Sequence, residues 1–478
     1  MTLLLGIDVG TQSAKVVVHD AAGAVLAEGR APLRPPLTPA PGVVEHPGDD
    51  LWDALAAACR EATAALGDAA TSVSAVGLCG VRCCRALLRA DGSLAAPVMS
   101  WMDDRLALPH RQPDGAAGDE VAWVASSSGY LTQRLTGRFR DSVASYQGQW
   151  PVDDSTWGWL VDDTELAAYG VPRDRLMELV LPGEVLGEVT PAAAAATGLP
   201  AGVPVVATAN DKAVEALGSG LRSPDDLLLS LGTYVAAMTV GSRHGEQRSA
   251  SWTNLSAVPG EYLHESTGIR RGMWTVTWLR ELLTAARLAS APLAAGDAER
   301  LLDAGAVEVP AGSDGLVTLL DWLAPVDTPW RRGAFVGLDA RHGPFHLHRS
   351  VLEALALTMQ QHARAMTDEL GSGPRRVVVS GGGSRSDLML QIVADVFDLP
   401  ASRGAAPSAA ALGAAMSAAV ATGVHGSFDD AAAAMVHAGR DAEPTAGGRS
   451  TYARMRGLHT EVAASLDPVL RRHRELFA

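Results

Sequence analysis

The stretch LLLGIDVGTQSAKVVV beginning at Leu3 returns in altered form as LLLSLGTYVAAMTV beginning at Leu227. Each copy is an apolar β-prone run, a turn containing glycine and small polar residues, and a second apolar run. Such a pattern reads as strand, phosphate-sized turn and returning strand. Aligning Gly10 and Thr11 with Gly232 and Thr233 also sets Leu5 on Leu227 and Ile7 on Leu229, so both copies keep one register. Two ordinary hairpins with coincidental similarity are the alternative. A repeated unit implies two domains, and 478 residues exceed the size at which one hydrophobic core stops growing. Turn formers in LGSGLRSPDD place the division near Gly218 to Ser223, giving expected domains at residues 1–222 and 223–478.

Further elements surround these units. Asp49 to Ala65 has a helical pattern, Ser74 to Cys79 reads as a strand, and an arginine-containing crossing runs from Val81 to Arg85. In the second half the pattern predicts a long helix from Leu347 to Leu370, the strand RRVVVS, a GGGS turn and a helix from about Asp387. An alanine-rich helix is expected over Ala409 to Ala421. This mixture of strands and helices predicts an α/β fold.

Charge and cysteine usage narrow the partners. With 39 Lys and Arg against 54 Asp and Glu, the formal net charge is -15, which opposes nucleic acid and anionic membrane surfaces at long range. Neither is an expected partner, and no apolar stretch reaches membrane-spanning length. The four cysteines, Cys59, Cys79, Cys83 and Cys84, do not make a secreted disulfide scaffold, and MTLLLGIDVG lacks a basic leader. Cytoplasm is the expected location. Lys15 and Lys212 are the only lysines, and both fall in segments with candidate chemistry, although a GC-biased genome would give the same scarcity.

Asp8 follows an apolar strand, so its carboxylate can emerge at a cleft. Gly10, Thr11, Gln12 and Ser13 then offer backbone and side-chain donors to phosphate oxygens. A carboxylate beside phosphate requires a cation, and Mg²⁺ retaining several waters is the expected one, with Asp8 as its protein contact. The second copy has Ser230 in that position, so Gly232 and Thr233 are expected to serve phosphate without a metal. Lys15 either faces the phosphates or is a solvated residue of the returning strand. Gly381, Gly382 and Gly383 follow another strand and precede a helix, a context suited to a nucleotide and equally to a tight structural connection. They form neither a P-loop lysine motif nor a dinucleotide fingerprint.

GVPVVATANDKAVEALGSG reads as strand, polar turn and helix, with Asn210 or Asp211 at the helix start. There the backbone dipoles favour an ionised Asp211, which can accept a hydroxyl proton as the oxygen attacks phosphorus. Plain helix capping would explain the same placement, and Lys212 is either an active-site cation or a lysine that is solvated or supports the site from behind. On the acceptor side, Arg82 offers a donor, while Trp101, Asp103 and Arg105 in SWMDDR offer a wall, an acceptor and a donor. Tyr234, Arg271 and Trp274 either close that pocket or belong to an amphipathic helix covering its own core. His19 and His264 lack zinc-ligand spacing, and Cys83 and Cys84 form no redox motif.

LLLGIDVGTQSAKVVVHD, SAVGLCGVRCCRALLRADGS, SWMDDR, YLTQRLTGRF, NDKAVEALGSG, LSLGTY, RGAFVGLDARH, HRSVLEALA, VVVSGGGSRSDLMLQIVADVFDLP and ALGAAM occur in this order along nearly the whole chain. In these strings the chain resembles the FGGY carbohydrate kinases, the group that includes xylulokinase and glycerol kinase. The resemblance implies two actin-like (ribonuclease H-like) ATPase domains flanking a catalytic cleft, with ATP and Mg²⁺ in the cleft. It also implies phosphoryl transfer to a small sugar or polyol, and it allows a homodimer. By the same resemblance Asp8 is the metal and phosphate aspartate and Asp211 the general base. Gly232 and Thr233 form the second phosphate turn, and Gly381, Gly382 and Gly383 lie on the nucleotide side.

Departures from the family pattern bear on the acceptor. Arg82 stands where glycerol kinases have a substrate-binding arginine, and Arg82 with Cys83 replaces the methionine and histidine of xylulokinases. Lys212 replaces the usual polar amide, Ser408 replaces an acidic residue, and the segment between Arg105 and Tyr130 is shorter than usual. Overall resemblance to xylulokinase makes a pentulose such as xylulose the leading acceptor. Arg82 keeps glycerol, a tetritol or another polyol open. A noncatalytic sugar or nucleotide sensor is the alternative from another class, whereas a nicotinamide dehydrogenase would need a Rossmann fingerprint.

Overall fold

β1 (Leu3–Val9), β2 (Ser13–His19) and β3 (Val25–Pro32) form an antiparallel meander in a computed structural model that describes residues 2–111, 120–242, 249–285, 295–325, 327–371 and 373–477. After helix α1 (Asp50–Leu66), β4 (Val73–Gly80) pairs parallel to β1. β5 (Val185–Glu188) and β6 (Pro204–Ala207) complete a six-stranded sheet in the order β5-β6-β4-β1-β2-β3. β1 is central and buried along its whole length, which is why it reads as a nearly continuous apolar run instead of an alternating one.

The second half builds β7 (Asp226–Leu231), β8 (Val235–Gly241), β9 (Ser251–Leu255), β10 (Tyr262–Ser266), β11 (Arg376–Ser380), β12 (Ala401–Gly404) and β13 (Ala438–Ala442). Their order is β9-β10-β8-β7-β11-β12-β13. Read from β3 or from β10, both sheets show the same succession of pairings: antiparallel, antiparallel, parallel, parallel, antiparallel. The echo between Leu3 and Leu227 therefore extends from one hairpin to a whole sheet, with β9 as an added edge strand.

Helices α2 (Asp211–Gly218) and α5 (Ala409–Ala421) fix the relation of the halves, while α3 (Pro344–Leu370) and α4 (Asp387–Phe397) pack within the second half. α5 has the bounds its alanine-rich pattern predicts. It is buried almost throughout, because it packs against the first sheet as well as against its own half. One core cluster joins Leu4, Ala75 and Val206 of the first half with Leu228, Met238 and Val378 of the second, and α5 contributes Leu412, Ala414 and Ala415 to it.

Glycine makes this close approach sterically feasible. A Cβ on Gly6 would lie 1.8 Å from the Ala411 carbonyl oxygen, and one on Gly77 would lie 1.9 Å from that of Ala414. Gly77→Ala is therefore expected to cost about 3 kcal/mol of stability, since backbone rather than a pliable side chain must move. Urea unfolding checks this, and an unchanged midpoint would contradict the packing described. Among the described residues no helix is long and apolar enough to cross a membrane.

Candidate active site

The first turn, between β1 and β2, is closed by Gly10 N–H donating to the Ser13 carbonyl at 3.1 Å. Asp8 and Lys15 are direct partners across the two strands, which puts their side chains on one face, with Lys15 Nζ 3.5 Å from Asp8 Oδ2. Thr11 and Gln12 occupy the turn, whereas Ser13 begins β2 and is buried. Gln12 Nε2 donates to Thr233 Oγ1 at 3.5 Å, so the two repeated turns face each other across the cleft. Burial pushes the Asp8 carboxyl above its ordinary range, with Lys15 opposing the shift and Glu215 adding to it.

The third turn uses its glycines in different ways. Gly381 has φ +81°, a left-handed conformation that favours glycine, and a Cβ there would meet the Leu231 carbonyl oxygen at 2.7 Å. Gly383 is buried against Leu231 and Met273, while the space beside Gly382 is open. Sequence spacing could not separate these roles.

Asn210 is the N-cap of α2, accepting from the Lys212 and Ala213 N–H groups at 3.2 Å each, and Asp211 is the first helical residue. Asn210 is thus the cap, while Asp211 Oδ1 also accepts from the Lys212 N–H at 3.0 Å. Asp211 Oδ1 lies 3.9 Å from Arg82 Nε. Burial raises the Asp211 carboxyl above the usual range, with Arg82 and Lys212 pulling it back and Asp8 and Glu215 pushing it further.

Lys212 is largely buried rather than solvated. Its ammonium donates to Glu215 Oε2 at 3.1 Å and to Ser230 Oγ. It also lies beneath the turn at Gly232 and Thr233, 3.9 Å from where a Cβ on Gly232 would be. Ser230 and Ser380, which are register partners on β7 and β11, both donate to Glu215. Burial opposes charge on Lys212, yet Glu215 and Asp211 outweigh it and hold the ammonium above its ordinary range. Glu215 is likewise held below its ordinary range, chiefly by Lys212 against its burial.

Arg82 follows β4 and donates through Nη1 and Nη2 to Glu265 of β10 at 2.6 and 2.7 Å. Trp101 Nε1 donates to Thr11 Oγ1 at 3.2 Å, placing the indole beside the first turn. Next to Arg82, Cys83 has φ +61°, a strained conformation for a residue with a side chain. Gln147 Nε2 donates to its sulfur at 3.5 Å, and burial raises the thiol, so this cysteine is not poised as a nucleophile.

Asp103 departs from expectation. Its side chain is fully buried, and its oxygens accept from the Val44 and Arg105 N–H groups and from the Arg105 guanidinium at 2.7 to 2.9 Å. With both oxygens committed, Asp103 fixes the loop that carries Trp101 and does not itself reach an acceptor. Arg271, just before helix Gly272–Ala285, stacks over Trp274 of its first turn at 4.4 Å, and both side chains are half-buried. Tyr234 is closer to the cleft, with burial raising its phenol near Glu265 and Arg82.

Glu215 and Glu265 are the site residues that sequence reasoning missed. Glu215 carries a local signal, the i,i+3 spacing from Lys212 on a short helix. Glu265 carries none, since its partner Arg82 is 183 residues away.

The FGGY family of carbohydrate kinases, N-terminal domain, matches residues 3–112 and 108–218, and the C-terminal domain of that family matches residues 227–422. The chain belongs to the FGGY family of carbohydrate kinases. It is an ATP-dependent sugar kinase, and its two sheet-bearing halves have the two-domain actin-like fold. The chain is 42% identical over 476 residues to the uncharacterized sugar kinase YgcE of Escherichia coli (strain K12), covering 99% of this chain and 96% of that protein. It is 29% identical to the glycerol kinase of Methylibium petroleiphilum (strain ATCC BAA-1232 / LMG 22953 / PM1), over 91% of this chain and 93% of the other. The structure of xylulose kinase from Rhodospirillum rubrum superposes with a TM-score of 0.80 at 27% identity, covering 98% of this chain and 100% of that one.

Proposed function

We propose that this kinase transfers the γ-phosphoryl group of ATP to a hydroxyl of a pentulose such as xylulose, with Asp211 as general base. Residues 1–222 form the acceptor side and residues 223–478 the nucleotide side. The observation that carries the phosphoryl transfer is the placement of Asp211, while the pentulose rests on the likeness to xylulose kinase. Asp211 stands at the start of α2 with its capping duty taken by Asn210, beside Arg82, in the cleft where the Thr11 and Thr233 turns face each other. A hydroxyl held between Asp211 and the phosphate turns would lose its proton to Asp211 as its oxygen attacks phosphorus, without a covalent enzyme intermediate. Arg82 and Trp101 orient the acceptor. Gly10, Thr11, Gln12, Ser13, Lys15, Gly232 and Thr233 line the phosphate path, and Gly381, Gly382 and Gly383 border the nucleotide.

Asp8 fits Mg²⁺ bound together with nucleotide. It is a buried carboxylate whose one ion pair among the described residues is the long contact to Lys15, and no described cluster of three or more His, Cys, Asp or Glu side chains forms a cage. One carboxylate plus phosphate oxygens and water is how Mg²⁺ is usually held. When bound, the ion would neutralise charge on the β- and γ-phosphates.

A polyol such as glycerol or a tetritol is the second reading, favoured by Arg82 and by the likeness to glycerol kinase. ADP formation measured across pentuloses, pentitols, tetritols and glycerol, with and without Mg²⁺, tests the proposal. Mg²⁺-dependent turnover should be highest with a pentulose. Turnover confined to glycerol or tetritols would transfer the assignment to the second reading, and saturable binding without turnover would favour a sensor.

A further inference from the structure

A guanidinium in a sugar pocket is an obvious receptor for a carboxylate, because its fork matches two carboxylate oxygens. In this protein that fork is already used. Arg82 spends Nη1 and Nη2 on the two oxygens of Glu265, whose side chain has no solvent exposure, and Asn254 Nδ2 donates to Glu265 Oε2 at 3.3 Å from β9. The remaining nitrogen, Nε, faces Asp211 at 3.9 Å. Lys212 is committed to Glu215 and Ser230, and Lys15 lies against Asp8 at the phosphate turn. An acceptor carboxylate would enter beside Asp211 and Glu265 and meet no uncommitted cation among these residues. A neutral polyhydroxy compound meets no such repulsion, because its hydroxyls can donate to Asp211 and accept from Arg82 Nε.

We propose that Glu265 determines specificity by neutralising Arg82, restricting the acceptor to an uncharged ketose or alditol and excluding aldonic acids of the same carbon number. This deepens the kinase reading above and rests on it. An unpaired charge brought into a buried site is strongly disfavoured, so the discrimination should be large.

The test compares matched acceptors, ribitol with ribonate and xylitol with xylonate, together with xylulose. Wild-type kcat/KM should favour the neutral member of each pair by more than about 100-fold. Glu265→Gln should narrow that ratio by about 10-fold or more, chiefly through the aldonate KM, with the ATP KM unchanged. Glu265→Asp, which keeps the charge, should retain the discrimination. Wild-type use of an aldonate within about 10-fold of its neutral partner would overturn the proposal, as would a folded Glu265→Gln enzyme with an unaltered ratio. If Glu265→Gln does not fold, competition in the wild type decides. An aldonate that inhibits with a constant near the KM of its neutral partner overturns the proposal, and absence of inhibition supports it. If no acceptor of either class is phosphorylated, the acceptor reading above fails, and equilibrium binding then judges the charge argument separately. Binding of the neutral members alone supports it, and equal binding of aldonates refutes it.

Discussion

Asp211→Asn is expected to lower kcat by about 10³-fold, the scale of a lost general base, while leaving the ATP KM within ~2-fold. Asparagine preserves the volume, and Asn210 keeps the helix capped, so structure and nucleotide binding should survive. What disappears is the anion able to take the acceptor proton. The same group should govern the acidic limb of the kcat/KM profile. Burial raises its pKa, so activity should fall at a higher pH than an ordinary aspartate would give. Activity requires the ionised form and therefore increases as pH rises through that value. Replacing Arg82 with Gln removes a charge that favours ionisation, and the limb should move further upward. Full activity of Asp211→Asn would remove this residue from the chemistry.

Lys212→Met should be the most damaging single change in the buried charge cluster, costing about 3–5 kcal/mol because it leaves Glu215 charged without its cation. The Lys212 and Glu215 side chains are only 12% and 13% exposed, so solvent offers little compensation. Adding Glu215→Gln should recover much of the lost stability, since glutamine can still bond Ser230 and Ser380. It should not restore ATP affinity if the ammonium beneath Gly232 also attracts phosphate. Urea unfolding and nucleotide titration of the single and double variants separate the two effects. A single variant as stable as the wild type would contradict the coupling.

What could be read in the sequence was whatever depends on local pattern. The strand-turn-strand echo, the bounds of α5, and the choice between Asn210 and Asp211 as helix starter all follow from short-range rules, and the structure resolves the last in favour of Asn210 as cap. Duplication of the full order of pairings was not legible, because β4, β6, β11 and β12 share no string comparable to that of the first hairpins. Asp103 and Arg105 looked like pocket residues because a polar cluster beside a tryptophan has the same composition whether it binds a ligand or its own loop. Only the hydrogen bonds from Val44 and Arg105 distinguish these cases. Glu265 is a lone acid in YLHES, and its meaning lies wholly in Arg82 on the other half of the molecule.

The most direct test is ³¹P NMR of a reaction containing ATP, Mg²⁺ and the best acceptor, with sugar phosphate and inorganic phosphate quantified against ADP. One phosphate ester for each ADP, with negligible inorganic phosphate, is the predicted result. ADP accompanied by inorganic phosphate, with no ester, would show that water rather than a bound hydroxyl receives the phosphoryl group, and would contradict the placement of an acceptor beside Asp211.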